Sequence, residues 1–160
     1  MDRDRLVNDI KQAEGFKDRP YKDTEGYWTG GYGHFLTPQD DGHWNAFLAV
    51  PTNRFDQSTV DNWLVSDLAN AMNQGRTLME WNSLDCDARQ NAVIELVFNM
   101  GLETWRQFVQ TRLAILHKEW QMAYNGLLDS KWAKEVQPHG FDQPGRATRI
   151  ATYLLRGSFT

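Results

Sequence analysis

The sequence predicts an α+β fold, and three observations carry the prediction. Residues 3–14 show an amphipathic helical pattern, which gives way to short extended segments separated by turn residues. Helical spacing resumes near residue 56 and continues almost to the end. One of these later segments, Ala88–Met100, leaves almost no polar face, the mark of a helix in the middle of a bundle.

The first helix is justified by Leu6, Ile10 and Glu14 at i, i+4 and i+8, flanked by Val7 and Ala13, with Gly15 as its stop. Extended segments are expected at Pro20–Lys22, Tyr27–Thr29 and Tyr32–Leu36. Asp23–Gly26 supplies the first turn and Gly30-Gly31 the second. Three such strands form a small antiparallel sheet that must pack on something else to be stable. Residues 37–53 read as loop, with one short helix near Trp44–Leu48. A long helix follows to about Gln74, capped by Asp56 or Ser58, its stripe running Val60, Trp63, Leu64, Asp67, Leu68, Ala71 and Met72. A short helix is expected at 76–85, then the central apolar helix, capped by Asp85 or Asp87 and ended by Gly101. Further helices are expected at 105–116, 118–128 and 130–136. A loop over 137–145, whose Pro144 suits a helix N1 position, leads to a last helix from Arg146 to Leu155. The chain reads as one domain in two lobes. A sheet lobe covers about 15–55, a helical lobe 1–14 and 75–160, and a connecting helix 56–74.

A chain of 160 residues with 41% hydrophobic and 24% charged residues has the composition of a globular domain. No apolar run reaches the length of a membrane span, and the Met-Asp-Arg-Asp-Arg start lacks signal-peptide character. Cys86 is the single cysteine, so no intrachain disulfide forms; it reads as a small buried side chain. Residues 1–75 carry seven Lys/Arg against twelve Asp/Glu, and residues 76–160 carry ten against nine. A net charge of −4 without a basic stripe argues against a general nucleic-acid binder.

The chemistry concentrates between residues 14 and 34. Glu14 closes an apolar stripe, where desolvation favours the proton-bearing form of a carboxyl. Such a group needs a basic partner, and the Arg146–Arg149 segment is the candidate. Asp23, nine residues on, sits in a polar turn. There it either accepts backbone hydrogen bonds in an Asx-type turn or faces Glu14 as an ionised group that activates a water. Thr29 follows on the returning strand, pointing opposite to Trp28. Two carboxyls in opposite environments are what glycoside hydrolysis requires of its acid and its base. His34 is expected to pair with an acid such as Asp67, because His43, His117 and His139 stand at no ligand-like spacing and no metal is implied. Gly30, Gly31 and Gly33 precede no helix and form no dinucleotide fingerprint.

The segment E-G-F-K-D-R-P-Y-K-D-T-E-G-Y-W-T-G-G-Y-G-H resembles the catalytic segment of phage-type lysozymes, the family that contains the lysozyme of T-even phages. That family places an Asp nine residues after a Glu and a Thr six further on, as Glu14, Asp23 and Thr29 stand here. W-N-S-L-D-C-D-A-R-Q-N-A-V-I-E-L-V-F-N-M-G (81–101) is similar to its central buried helix, and P-G-R-A-T-R-I-A-T-Y-L-L-R-G-S-F (144–159) to its closing helix. The resemblance spans nearly the whole chain and is weakest over 38–55.

The resemblance implies a two-lobed lysozyme-like fold with a cleft, and inverting hydrolysis of the β-1,4 bond between N-acetylmuramic acid and N-acetylglucosamine in bacterial peptidoglycan. Glu14 is then the general acid, Asp23 positions or activates the water, and Thr29 helps to hold it. Arg146 pairs with Glu14, supported by Arg149, His34 and Asp67. Asn99, Phe98, Gly31 and Tyr32 contact sugar. No cofactor is implied, and a monomer is expected. The expected protein is an endolysin kept in the host cytoplasm until a separate holin opens the membrane. Alternatives are a tail-associated or secretion-delivered lysozyme, a hydrolase of chitin-like glycans, and a glycan-binding relative without turnover. Two departures stand out. Ala13 occupies a position where the T-even protein has an acid, and the acidic balance predicts weak electrostatic steering toward an anionic wall.

Overall fold

The computed structural model describes residues 1–136 and 145–160. Most of the loop expected over 137–145, including His139 and Pro144, lies outside the described residues. The elements run α1 (Arg3–Glu14), β1 (Lys17–Lys22), β2 (Trp28–Gly31), β3 (His34–Phe35), α2 (Asp41–Ala49), α3 (Gln57–Gly75), α4 (Asp87–Met100), α5 (Leu102–Arg106), α6 (Val109–Leu116), α7 (Trp120–Leu128), α8 (Lys131–Val136) and α9 (Arg146–Arg156). This is an α+β fold of the lysozyme kind. Val7–Ala69 form one compact unit, and Met1–Leu6 with Asn70–Thr160 form another. Among the described residues no helix is long and apolar enough to cross a membrane.

Helix α1 keeps its predicted bounds, its residues from Val7 onward belonging to the first unit. Asp2 Oδ1 accepts from Arg5 N at 3.0 Å at its start, and Ile10 is fully buried. Ala13, expected to flank the buried stripe, is exposed instead. The sheet is antiparallel in the order β1-β2-β3. β2 pairs Thr29 with Phe35 and Gly30 with His34 on one side, and Trp28 with Lys22 and Thr29 with Tyr21 on the other. Between Lys17, which pairs with Gly31, and Tyr21 the register of β1 shifts in a bulge.

Gly30 and Gly31 belong to the central strand rather than to a turn, and the reason is steric. A Cβ on Gly30 would lie 2.7 Å from Phe55 Cε2, and one on Gly31 2.8 Å from Val60 Cγ1. The glycines let an aromatic ring and α3 close on the sheet, and the chain reverses at Tyr32-Gly33. Trp28, Leu36 and Trp44 are buried beneath it, with Phe47, Leu48, Phe55 and Trp63 packed around them. The predicted short helix is the longer α2. Asp40 caps it by accepting from Gly42 N at 2.8 Å, and the Arg19 guanidinium donates to Leu48 O at 2.7 Å near its other end. Asp41 accepts from Lys22 Nζ at 2.8 Å and Trp28 Nε1 at 2.9 Å, and these two bonds, Lys22 first, hold its carboxyl below the usual range.

In the second unit α4 is central, as its apolar pattern predicts, with Ala88 and Asn91 through Val97 buried. Cys86 stands at its N-cap without a side-chain cap bond and is half-buried rather than buried. Neither expected aspartate caps. Asp85 is taken by Arg89 at 2.7 Å, and Asp87 is already the first helical residue. The helix expected at 76–85 shrinks to a 3-10 turn at Trp81–Ser83, and the one expected at 105–116 divides into α5 and α6. One buried carboxylate accounts for the second change. Glu80, fully buried, accepts from Trp105 Nε1 at 3.1 Å and from Arg112 Nε and NH2 at 2.7 and 3.0 Å. The break at Gln107-Phe108 accompanies this geometry, in which one residue from each short helix reaches the same acid.

Removing one partner of a buried ion pair strands the other charge. Arg112→Met is therefore expected to lower stability by about 3–5 kcal/mol, and Glu80→Leu combined with Arg112→Met to recover most of the loss. Urea denaturation of both variants is the check, and an equal loss in the two would contradict this account.

Candidate active site

Glu14, Asp23 and Thr29 all lie in the Val7–Ala69 unit. Glu14 ends α1, half-buried, one turn beyond the fully buried Ile10. Its carboxyl lies against the β2–β3 turn, where a Cβ on Gly33 would come within 3.3 Å of Oε2. Gly33 also has φ +79°, so both backbone and space call for glycine there.

Asp23 begins the turn after β1. Its Oδ1 accepts from the backbone N–H of Glu25 and of Tyr27, each at 2.9 Å, so the Asx-type turn is present. Asp23 N donates to Tyr27 O at 2.9 Å, and Gly26 N to Asp23 O at 3.0 Å, closing the hairpin. Two amide donors on one oxygen fix the orientation of the carboxylate. Oδ2 accepts no hydrogen bond among the described residues. The structural and chemical readings of Asp23 are thus compatible, one oxygen serving each.

Thr29 is 5% exposed, and its Oγ1 donates to Tyr27 O at 3.0 Å. With its proton committed, the hydroxyl faces any further partner as an acceptor. Tyr21, which sequence reasoning did not single out, sits opposite Thr29 in the ladder. Burial raises its phenol pKa, and the negative charges of Glu14 and then Asp23 raise it further. One phenol therefore feels both carboxylates. The available signal was its place in the extended segment that leads into the Asp23 turn.

The remaining sequence-selected residues fall as follows. His34 Nδ1 donates to Asp67 Oδ2 at 2.7 Å, and its ring stacks on Trp63 with centroids 4.6 Å apart. Tyr32 meets the Phe16 ring at 5.6 Å and lies under Lys11 Nζ at 5.1 Å. Gly31 is buried against Val60 and Trp63. In the other unit Asn99 Oδ1 accepts from Trp132 Nε1 at 2.7 Å, and Phe98 is half-buried beside it on α4. Arg146 Nε donates to Glu95 at 3.1 Å, while Arg149 grips the same carboxylate with two nitrogens at 2.9 and 2.7 Å. Glu95, 1% exposed, was not singled out from sequence, although an acid inside an otherwise apolar run was the available signal.

The sequence model of the phage lysozyme family matches residues 11–148. The chain belongs to the phage lysozyme family. It is 27% identical to "Probable T4-type lysozyme 2" of Dictyostelium discoideum, over 96% of this chain and 95% of that protein. It is 26% identical to the pre-baseplate central spike protein Gp5 of Enterobacteria phage T4, over 93% of this chain but 27% of that protein's length. It is 28% identical to the peptidoglycan hydrolase gp36 of Pseudomonas phage phiKMV, over 86% of this chain and 16% of that protein. The family match contains Glu14, Asp23 and Thr29.

Gly33→Ala is expected to lower stability by about 1–2 kcal/mol through its positive φ, and to displace the Glu14 carboxyl from the turn. Thermal unfolding and a crystal structure of the variant measure the two effects separately.

Proposed function

We propose that this chain is a peptidoglycan muramidase that cleaves the β-1,4 bond between N-acetylmuramic acid and N-acetylglucosamine with inversion. The observation that carries the reading is the pair of carboxyls, Glu14 and Asp23, whose negative charges both reach one half-buried phenol, Tyr21, within a single compact unit. Glu14 gives its proton to the leaving oxygen. Asp23, its Oδ1 held by two amides, uses Oδ2 to take a proton from the attacking water, and Thr29 accepts the water's other hydrogen. An inverting enzyme needs its carboxyls about 6.5–9.5 Å apart so that a water fits between base and sugar. Asn99, Phe98, Gly31 and Tyr32 are the proposed sugar contacts, and Arg146 the proposed partner of Glu14, with Arg149, His34 and Asp67 in support.

The endolysin reading includes residence in the host cytoplasm and release through a holin. A second delivery route is favoured by the likeness to the spike protein, of which this chain spans about a quarter: a lysozyme carried as part of the virion tail. The acidic balance fits that route, because a delivered enzyme is placed at the wall rather than steered to it.

Glu14→Gln is expected to abolish hydrolysis of purified sacculi while the far-ultraviolet circular dichroism stays unchanged. Asp23→Asn is expected to reduce the rate by about 10²–10⁴-fold. Mass spectrometry of the released muropeptides should find reducing ends on muramic acid; anhydro ends would mean transglycosylation. On a soluble glycan, proton NMR of the nascent anomer should detect the α form first. A Glu14→Gln protein that clears wall at the wild-type rate would sink the assignment.

A further inference from the structure

The geometry of the sheet points to one more participant, and the inference rests on the muramidase reading above. Tyr21 and Thr29 are register partners on adjacent antiparallel strands, so their side chains leave the sheet on the same face. Asp23 stands two residues beyond Tyr21, at the start of the turn that closes this hairpin. We propose that Tyr21 is a positioning residue of the hydrolytic site, its hydroxyl donating a hydrogen bond to the attacking water that Asp23 and Thr29 hold.

The argument is one of donors and acceptors. Asp23 Oδ1 is saturated by two amides, and its carboxylate only accepts. Thr29 has committed its proton to Tyr27 O, so toward a water it also only accepts. A water bound by these two groups spends both hydrogens on them and is left with two lone pairs. One must point at the anomeric carbon. The other fixes the water's rotation only if a donor meets it, and a phenol on the same face is such a donor. Burial and the two neighbouring negative charges keep that phenol protonated well above neutrality, so it donates throughout the working range. In the step itself, the water O–H bond breaks with its proton passing to Asp23, and the water oxygen bonds to the anomeric carbon. The glycosidic C–O bond breaks as Glu14 protonates the leaving oxygen. Tyr21 keeps its own proton from start to finish.

The test is a kinetic double-mutant cycle on the full chain with a soluble peptidoglycan fragment. Tyr21→Phe is nearly isosteric and should lower kcat about tenfold, the size of one hydrogen bond, with KM changed less than about twofold. In an Asp23→Asn background, where the water is no longer held for proton transfer, the same change should cost less than about twofold. An unchanged kcat, an equal loss in both backgrounds, or a raised KM at constant kcat would each overturn the proposal, the last by making Tyr21 a sugar contact. A high-resolution crystal structure of the unaltered protein gives a reading independent of how the variant folds. A water within hydrogen-bond distance of the Tyr21 hydroxyl and of Asp23 Oδ2 supports the role, and a phenol bonded to protein in its place refutes it. If the wild-type protein releases no muropeptides, the muramidase reading fails; if it does and Tyr21→Phe matches it, only this inference fails.

Discussion

The central strand of a three-stranded sheet has no exposed residue, and the candidate site depends on that constraint. Trp28, Thr29, Gly30 and Gly31 are all buried. A sheet this small has little stability of its own, so it survives by being clamped from outside its own hydrogen-bond ladder. The clamp is aromatic. Phe55 meets Trp63 edge to face at 5.0 Å and Trp44 at 6.2 Å, and His34 continues the series by lying flat on Trp63. Thr29 has its place because the strand that carries it cannot shift without opening this cluster.

The helical unit is organised on a different principle. Two of its acids, Glu80 and Glu95, are almost wholly removed from water, and each is gripped by guanidinium groups through more than one nitrogen. Ion pairs of this kind contribute little net stability over a well-packed apolar substitute, because desolvation offsets the attraction. Their effect here is geometric. Glu80 draws α5 and α6 to one point through Trp105 and Arg112, and Glu95 ties α4 to the first turn of α9.

What was legible in the sequence was whatever depends on local spacing. The periodicity of residues 3–14 gave α1 its bounds, and the apolar run of 88–100 located the central helix. Glu14 and Asp23 stood out because an acid on an apolar stripe and an acid in a tight turn are locally unusual, whereas Thr29 stood out only through the family resemblance. His34 and Asp67 were joined by reasoning about what a lone histidine needs. The failures came where tertiary contact outweighed local preference. Gly30-Gly31 has the composition of a turn, yet Phe55 and Val60, distant in sequence, require those glycines inside a strand. Residues 105–116 have helical spacing throughout, yet the chain breaks where Trp105 and Arg112 both reach Glu80. Glu95 was hidden because its partners lie more than fifty residues away. Tyr21 was hidden because its place opposite Thr29 comes from register, which alternation alone does not specify.

The bulge in β1 has a consequence for how this site could change over time. From Lys17 to Tyr21 the strand advances four residues while its partner retreats two, from Gly31 to Thr29. An unbroken ladder from Lys17 would bring Arg19 opposite Thr29 in place of Tyr21. Arg19 instead reaches the carbonyls of Leu48, Val50 and Pro51. Excising two of the three residues between Lys17 and Tyr21 would remove the bulge and still leave Tyr21 opposite Thr29 in an unbroken ladder. The bulge thus acts as slack: the outer end of the strand can lose residues without changing which side chain stands across from Thr29, whereas an edit between Tyr21 and the turn would change it.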